Sequence, residues 1–161
     1  MKTAIVMGSK SDYPVVRRAE EMLERFGVEY ETRILSAHRT PAAAEAFAAE
    51  AADRGIEVLI AAAGKAAHLA GVLAARTPLP VIGLPVKSST LDGLDSLLST
   101  VQMPKGVPVA TVAIDGAENA ALLAVQILGL RYESLQAAVK EYKKQMEAEI
   151  LAADEEFQKS K

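Results

Sequence analysis

Short apolar runs alternate along this chain with longer stretches in which apolar residues recur every three or four positions. Ala4-Ile5-Val6-Met7 is an apolar run ended by Gly8, and Val15, Ala19, Met22, Leu23 and Phe26 follow at helical spacing. The pattern predicts strand, loop and helix, with Asp12 or Ser11 as cap, Pro14 in the first turn and Gly27 at the end. The unit recurs with Arg33-Ile34-Leu35 as strand, Thr40 as cap, Pro41 at the first helical position and an alanine-rich helix stopped near Gly55. A third cycle runs from a strand over Glu57 to Ala61 into a helix containing Val72, Leu73 and Ala75. Pro80 to Leu84 predicts a fourth strand, Pro108 to Ile114 a fifth, and Glu118 to Leu128 a helix closed by Gly129.

Strands that are apolar throughout and alternate with helices indicate a parallel sheet covered on both faces and joined by right-handed connections. Ligands of such open α/β sheets bind outside the carboxyl ends of the strands. The tail differs. From Tyr132 to Phe157, Leu135, Val139, Tyr142, Met146, Ile150, Ala153 and Phe157 fall three or four apart with Lys and Glu between them, which predicts a long amphipathic helix. The sheet is already supplied with helices, so the surplus stripe points to a neighbouring subunit, although folding back on its own domain fits the same pattern. The expected division is a domain over 1–130 and a helix over 131–161.

A chain of 161 residues, 50% hydrophobic, can bury one sizeable core as a single domain. Its net charge of −3 gives no general attraction to nucleic acid or an anionic membrane, though a small anion can still bind locally. The absence of cysteine excludes disulfides, thiolate catalysis and cysteine zinc sites, and a pair of histidines argues against a dedicated metal site. The apolar run at the N-terminus stops at Gly8, too short for a signal peptide, and no stretch approaches the ~20 apolar residues of a membrane span. A cytoplasmic protein is expected.

Chemistry-bearing residues gather in the predicted strand-to-helix loops. Gly8-Ser9-Lys10-Ser11-Asp12 combines a glycine, hydroxyls, a lysine and the amides of a helix start, as a phosphate cradle does; an ordinary capped turn has the same composition. It lacks the spaced Gly-Lys-Ser/Thr of a nucleoside-triphosphate loop. Ser36-Ala37-His38-Arg39-Thr40-Pro41 sets an imidazole, suited to moving protons near neutrality, beside a guanidinium at a helix start. Gly64-Lys65-Ala66-Ala67-His68-Leu69-Ala70-Gly71 is small-residue-rich and admits a flat ligand close to backbone, while its histidine also suits a satisfied buried polar role. Ser88, Ser89, Asp92, Gly93, Asp95 and Ser96 form a further polar loop, whose carboxylates alternate with leucines and read as helix-start caps rather than metal ligands. Lys10, Arg39, Lys65 and Lys87 all fall on or near one predicted edge of an otherwise acidic chain. That convergence points to an anion-binding pocket with a titratable histidine.

Together with Ala66-Ala67-His68-Leu69 and the long run from Leu91 through Gln102-Met103-Pro104 to Thr111, these loops closely resemble the PurE family of N5-carboxyaminoimidazole ribonucleotide mutases, in matching order from about Ala4 to Leu130. The resemblance implies a flavodoxin-like three-layer α/β/α domain with a central parallel sheet, assembled as a homo-octamer, with active sites at subunit boundaries and the C-terminal helix crossing to a neighbour. It also implies a small nucleotide substrate, no cofactor and no metal. By the same resemblance Ser9, Ser11, Asp12 and Arg39 hold ribose and phosphate. Ser36 and His38 line the imidazole, with His38 as proton carrier, and His68 lies near the migrating carboxylate. Gly64, Lys65, Ala66 and Leu69 complete the expected substrate contacts.

One loop departs from the family pattern, with Lys65 where a second glycine is usual and Ala70 where proline is usual. If the backbone there has positive φ, lysine costs about 1 kcal/mol. Two other readings are weaker. A carboxylase using free carbon dioxide usually has lysine after the first loop histidine, where this chain has Arg39, and lacks the Ala-Ala-His-Leu stretch. The same fold also carries non-catalytic phosphate-ligand and receiver-like modules, but a receiver's acidic positions are here Met7-Gly8 and Ala62-Ala63.

Overall fold

The computed structural model describes residues 1–161. Its five parallel strands are β1 (Lys2–Met7), β2 (Glu29–Ile34), β3 (Val58–Gly64), β4 (Val81–Val86) and β5 (Ala110–Thr111), in the order β2-β1-β3-β4-β5. The helices are α1 (Tyr13–Arg25), α2 (Pro41–Glu50), α3 (Leu69–Ala74), α4 (Leu94–Val101), α5 (Ala117–Gly129) and α6 (Glu133–Lys159).

The interior strands are apolar throughout because both faces are covered. Alternate residues divide between two cores: Ile5, Ile60, Ile82 and Leu84 pack with α1, α5 and the start of α6, while Ala4, Val6, Leu59 and Ala61 pack with Phe47 of α2 and Leu69 and Leu73 of α3. This is the flavodoxin-like three-layer α/β/α arrangement. The strand order reverses between β1 and β3, and a crevice opens there at the carboxyl ends of the strands.

Several local expectations are corrected. Strand β2 begins at Glu29, four residues before the apolar Arg33-Ile34-Leu35 signal, because as an edge strand it carries polar residues. Strand β5 keeps only Ala110–Thr111 of the expected Pro108 to Ile114. The carbonyls of Gly83 and Pro85 both accept from the β5 segment, so the same side of Pro85 ought to donate back to it, and proline has no N–H. Asp12 stands at the N-cap of α1 without capping it; its carboxylate accepts instead from the Ser9 N–H at 3.0 Å, closing a capping box around the short turn Lys10–Asp12. Thr40 likewise makes no side-chain bond to α2, and Gly93, at φ 96°, rather than Asp92 or Asp95, precedes α4. Asp92 pairs with Lys87 at 3.1 Å and Asp95 accepts from the Ser88 hydroxyl at 3.0 Å.

Only the first part of the long C-terminal helix folds back on its own domain. Leu135 and Val139 are buried in the α1–α5 core, and Tyr142 packs edge-on against Phe26 at 5.6 Å beneath the Arg25 guanidinium. Beyond Gln145, which accepts from Arg25, the stripe is uncovered: Met146, Leu151 and Phe157 are exposed, and Ile150 is 72% exposed. No helix is long and apolar enough to cross a membrane.

Candidate active site

The loops that follow β1, β2, β3 and β4 wall a cavity of about 580 Å³. All the candidate residues read from the sequence line it: Ser9, Ser11 and Asp12 from the first loop, Ser36, His38 and Arg39 from the second, and Gly64, Lys65, Ala66, His68 and Leu69 from the third. Of the four basic residues expected at this edge, Arg39, Lys65 and Lys87 reach the wall and Lys10 does not. Gly8, Ala37, Ala63 and Ser88 complete the lining. The polar run after the fourth strand was the available signal for Ser88; Ala37 and Ala63 offer none beyond their neighbours.

The second loop is held by its own hydrogen bonds. The Thr40 hydroxyl accepts from the Ser36 N–H at 2.9 Å, the Ser36 hydroxyl accepts from the Arg39 N–H at 3.1 Å, and the Arg39 guanidinium donates to the Gly8 carbonyl at 2.6 Å and to Ser36 Oγ at 3.3 Å. Arg39 therefore ties the β2 loop to the β1 loop while its charge stays at the cavity. Asp12 is the sole carboxylate of the wall. Burial pushes its carboxyl above the ordinary aspartate value, opposed by the Ser9 N–H, the Ser11 hydroxyl and the Arg39 charge.

The third loop is built by backbone conformation. Lys65 has φ 55°, so the positive φ on which its cost depended is present. Tight turns follow, with the Ala67 and His68 N–H groups donating to the Lys65 and Ala66 carbonyls. Buried Ala67 and Leu69 flank His68 and leave its ring exposed toward the cavity. Gly64 has little room for a side chain, since an added Cβ would stand 3.3 Å from the Val86 carbonyl.

The two histidines meet. His38 Nε2 lies 2.8 Å from His68 Nδ1, with the rings edge to face at 4.9 Å. Such a contact needs one nitrogen carrying hydrogen and the other bare, so the bond exists only while at least one ring is neutral. His68 also borders a groove between α3 and α4, lined by Gly71, Val72, Leu98 and Met103, with Leu94 and Val101 exposed on the same helix. Chemically the cavity offers hydroxyls and cations for an anion, flat small-residue walls for a ring, and a coupled imidazole pair for proton transfer.

The AIR carboxylase family model matches residues 2–149. N5-carboxyaminoimidazole ribonucleotide mutase from Thermotoga maritima is 59% identical over 150 residues, covering 93% of this chain and 88% of that protein. The mutase from Saccharolobus solfataricus is 56% identical over 151 residues, covering 94% and 96%. The crystal structure of Treponema denticola PurE is similar with a TM-score of 0.87 at 31% identity, over 96% of this chain and 97% of that one.

Proposed function

The chain belongs to the AIR carboxylase family, and from that premise we propose how its cavity performs the N5-carboxyaminoimidazole ribonucleotide mutase reaction. The enzyme acts in purine biosynthesis, converting N5-carboxyaminoimidazole ribonucleotide to 4-carboxy-5-aminoimidazole ribonucleotide. The observation that carries the residue assignment is the His38–His68 contact at 2.8 Å in a cavity also walled by Ser9, Ser11 and Arg39.

The Arg39 guanidinium and the hydroxyls of Ser9 and Ser11 take the phosphate, and Asp12 accepts from the ribose hydroxyls. Ser36 and His38 face the imidazole. In the first step the N5–carboxyl bond breaks, its electron pair stays on N5, and a proton moves from His38 to that nitrogen, leaving carbon dioxide and aminoimidazole ribonucleotide. C4 then attacks the trapped carbon dioxide. His38 removes the C4 proton, restoring the aromatic ring and its own starting protonation. One proton is given and one taken back, so the cycle closes without a co-reactant. His68 orients the His38 ring through their shared hydrogen bond and lies beside the carboxyl group.

Carbon dioxide must not escape between the two steps, so the cavity has to be covered and dry. In a single chain His38 and His68 are exposed, and the groove beside His68 and the distal half of α6 present apolar side chains. These features support a site completed at a subunit boundary, in a homo-octamer whose α6 helices reach neighbouring subunits. The cysteine-free chain suits a reducing cytoplasm. A mass of eight subunits by light scattering is the expected result, and a fully active monomer overturns this assembly.

Turnover of each substrate supplied separately tests the reaction. Purified enzyme is expected to convert N5-carboxyaminoimidazole ribonucleotide without bicarbonate. Rapid conversion of aminoimidazole ribonucleotide with bicarbonate as sole carboxyl source supports the carboxylase instead.

A further inference from the structure

Three cations stand on the cavity wall, and two are already engaged. The Arg39 guanidinium donates to the Gly8 carbonyl and Ser36 Oγ, and Lys87 pairs with Asp92 at 3.1 Å. The Lys65 ammonium, exposed on the same wall, forms neither an ion pair nor a hydrogen bond within the protein. Its backbone, at φ 55°, lies in the region that glycine occupies freely and a side chain disfavours. The fold thus places an unpaired cation, at a conformational cost, in the loop that also carries His68, whose ring touches His38. Nothing in the packing of the single chain accounts for lysine there.

We infer that Lys65 is a specificity-determining residue that pairs with the carboxylate of the substrate and of the product, an inference that rests on the mutase reading above. The pairing acts on a charged carboxylate at both ends of the reaction and is lost while the carbon is neutral carbon dioxide. It therefore stabilises bound substrate and product relative to the neutral intermediate, so it lowers KM and kcat together and leaves kcat/KM nearly unchanged. Because the ammonium is solvated when the cavity is empty, its desolvation on binding offsets much of the attraction, which leaves a modest contact that weakens with salt.

Lys65→Gly and Lys65→Gln test this, the first relieving the backbone and the second retaining the disfavoured φ without the charge. Turnover of N5-carboxyaminoimidazole ribonucleotide by the parent enzyme is measured first, and its absence counts against the mutase reading rather than against Lys65. With the parent active, both variants are expected to raise KM about two- to fivefold, to raise kcat by up to the same factor, and to flatten the salt dependence of KM. Lys65→Arg is expected to restore KM. Inhibition constants separate the two anionic ends of the ligand: 4-carboxy-5-aminoimidazole ribonucleotide should bind each charge-removing variant more weakly, whereas aminoimidazole ribonucleotide, which has the phosphate but no carboxylate, should bind unchanged. Equal weakening of both ligands assigns Lys65 to the phosphate and overturns the inference. So does an unchanged KM with unchanged salt dependence in Lys65→Gln.

Discussion

The loops after β2 and β3 each deliver one histidine to the same point, but they hold it by different means. Around His38, side-chain hydrogen bonds from Ser36, Arg39 and Thr40 knit the loop to itself and to the Gly8 carbonyl. Around His68 the fixing comes from backbone turns and from buried Ala67 and Leu69, with a lysine held at φ 55° three residues earlier. In the proposed mechanism His38 gives and retrieves a proton at two atoms, a task served by a dense polar frame. A group that orients its partner can ride on a helix start. The contrast teaches that a symmetrical-looking pair of histidines has an asymmetrical supporting structure, and the variants below break or sharpen it.

The largest effect is expected at His38, the proposed proton carrier. His38→Asn should lower kcat by about 10²–10⁴-fold while calorimetry still shows product binding. His68→Asn should cost distinctly less, and equal losses would erase the asymmetry. Ser36→Ala comes next: it strips the acceptor from the Arg39 N–H and Nε–H and should lower kcat/KM about tenfold, the size of a lost hydrogen bond to a charged group.

Asp12 gives a smaller, pH-dependent effect, read from denaturation midpoints across pH. Its carboxyl is raised in the fold chiefly by burial, so between the unfolded and folded values the native state holds more proton than the unfolded chain. Its contribution to stability therefore falls as pH rises through that window and stays unfavourable above it. Asp12→Asn should flatten this decline and lose the acidic-side advantage; an unaltered profile would show that burial of Asp12 is not felt. Smallest is Lys65→Gly. Relief of the left-handed backbone, partly offset by glycine's freedom in the unfolded chain, should raise Tm by up to about 2–4 °C. A lower Tm would place support for the β3 loop in the lysine itself.

The buried strands and the helices over them were legible because parallel strands covered on both faces are apolar runs, as in Ala4-Ile5-Val6-Met7. Edge strands were not. Glu29-Tyr30-Glu31-Thr32 shows no such run since one side of β2 has no strand neighbour, and the early end of β5 depends on Pro85 in the adjacent strand, outside any local window. In the site, residue types and loop positions identified what converges, since the parallel direction of all five strands brings every carboxyl-end loop to one edge. The His38–His68 bond was beyond reach. It depends on the loops flanking β1 leaning toward each other across the crevice, a relation carried by the sheet order and by no spacing in the chain. The caps failed for a related reason: Asp12 and Thr40 found nearer partners in their own loops than in the helices they precede.

Pro85 has one more effect. A parallel sheet that ends in a long, regular strand offers a row of open donors and acceptors on which another sheet can continue. Here one margin is curtailed after two residues, and the other is β2, studded with Glu29, Glu31 and Arg33 and bridged through Glu31 to Lys2 and Arg54. Both margins are thereby guarded against strand-by-strand growth. Any contact between copies of this chain is left to helix faces and loops.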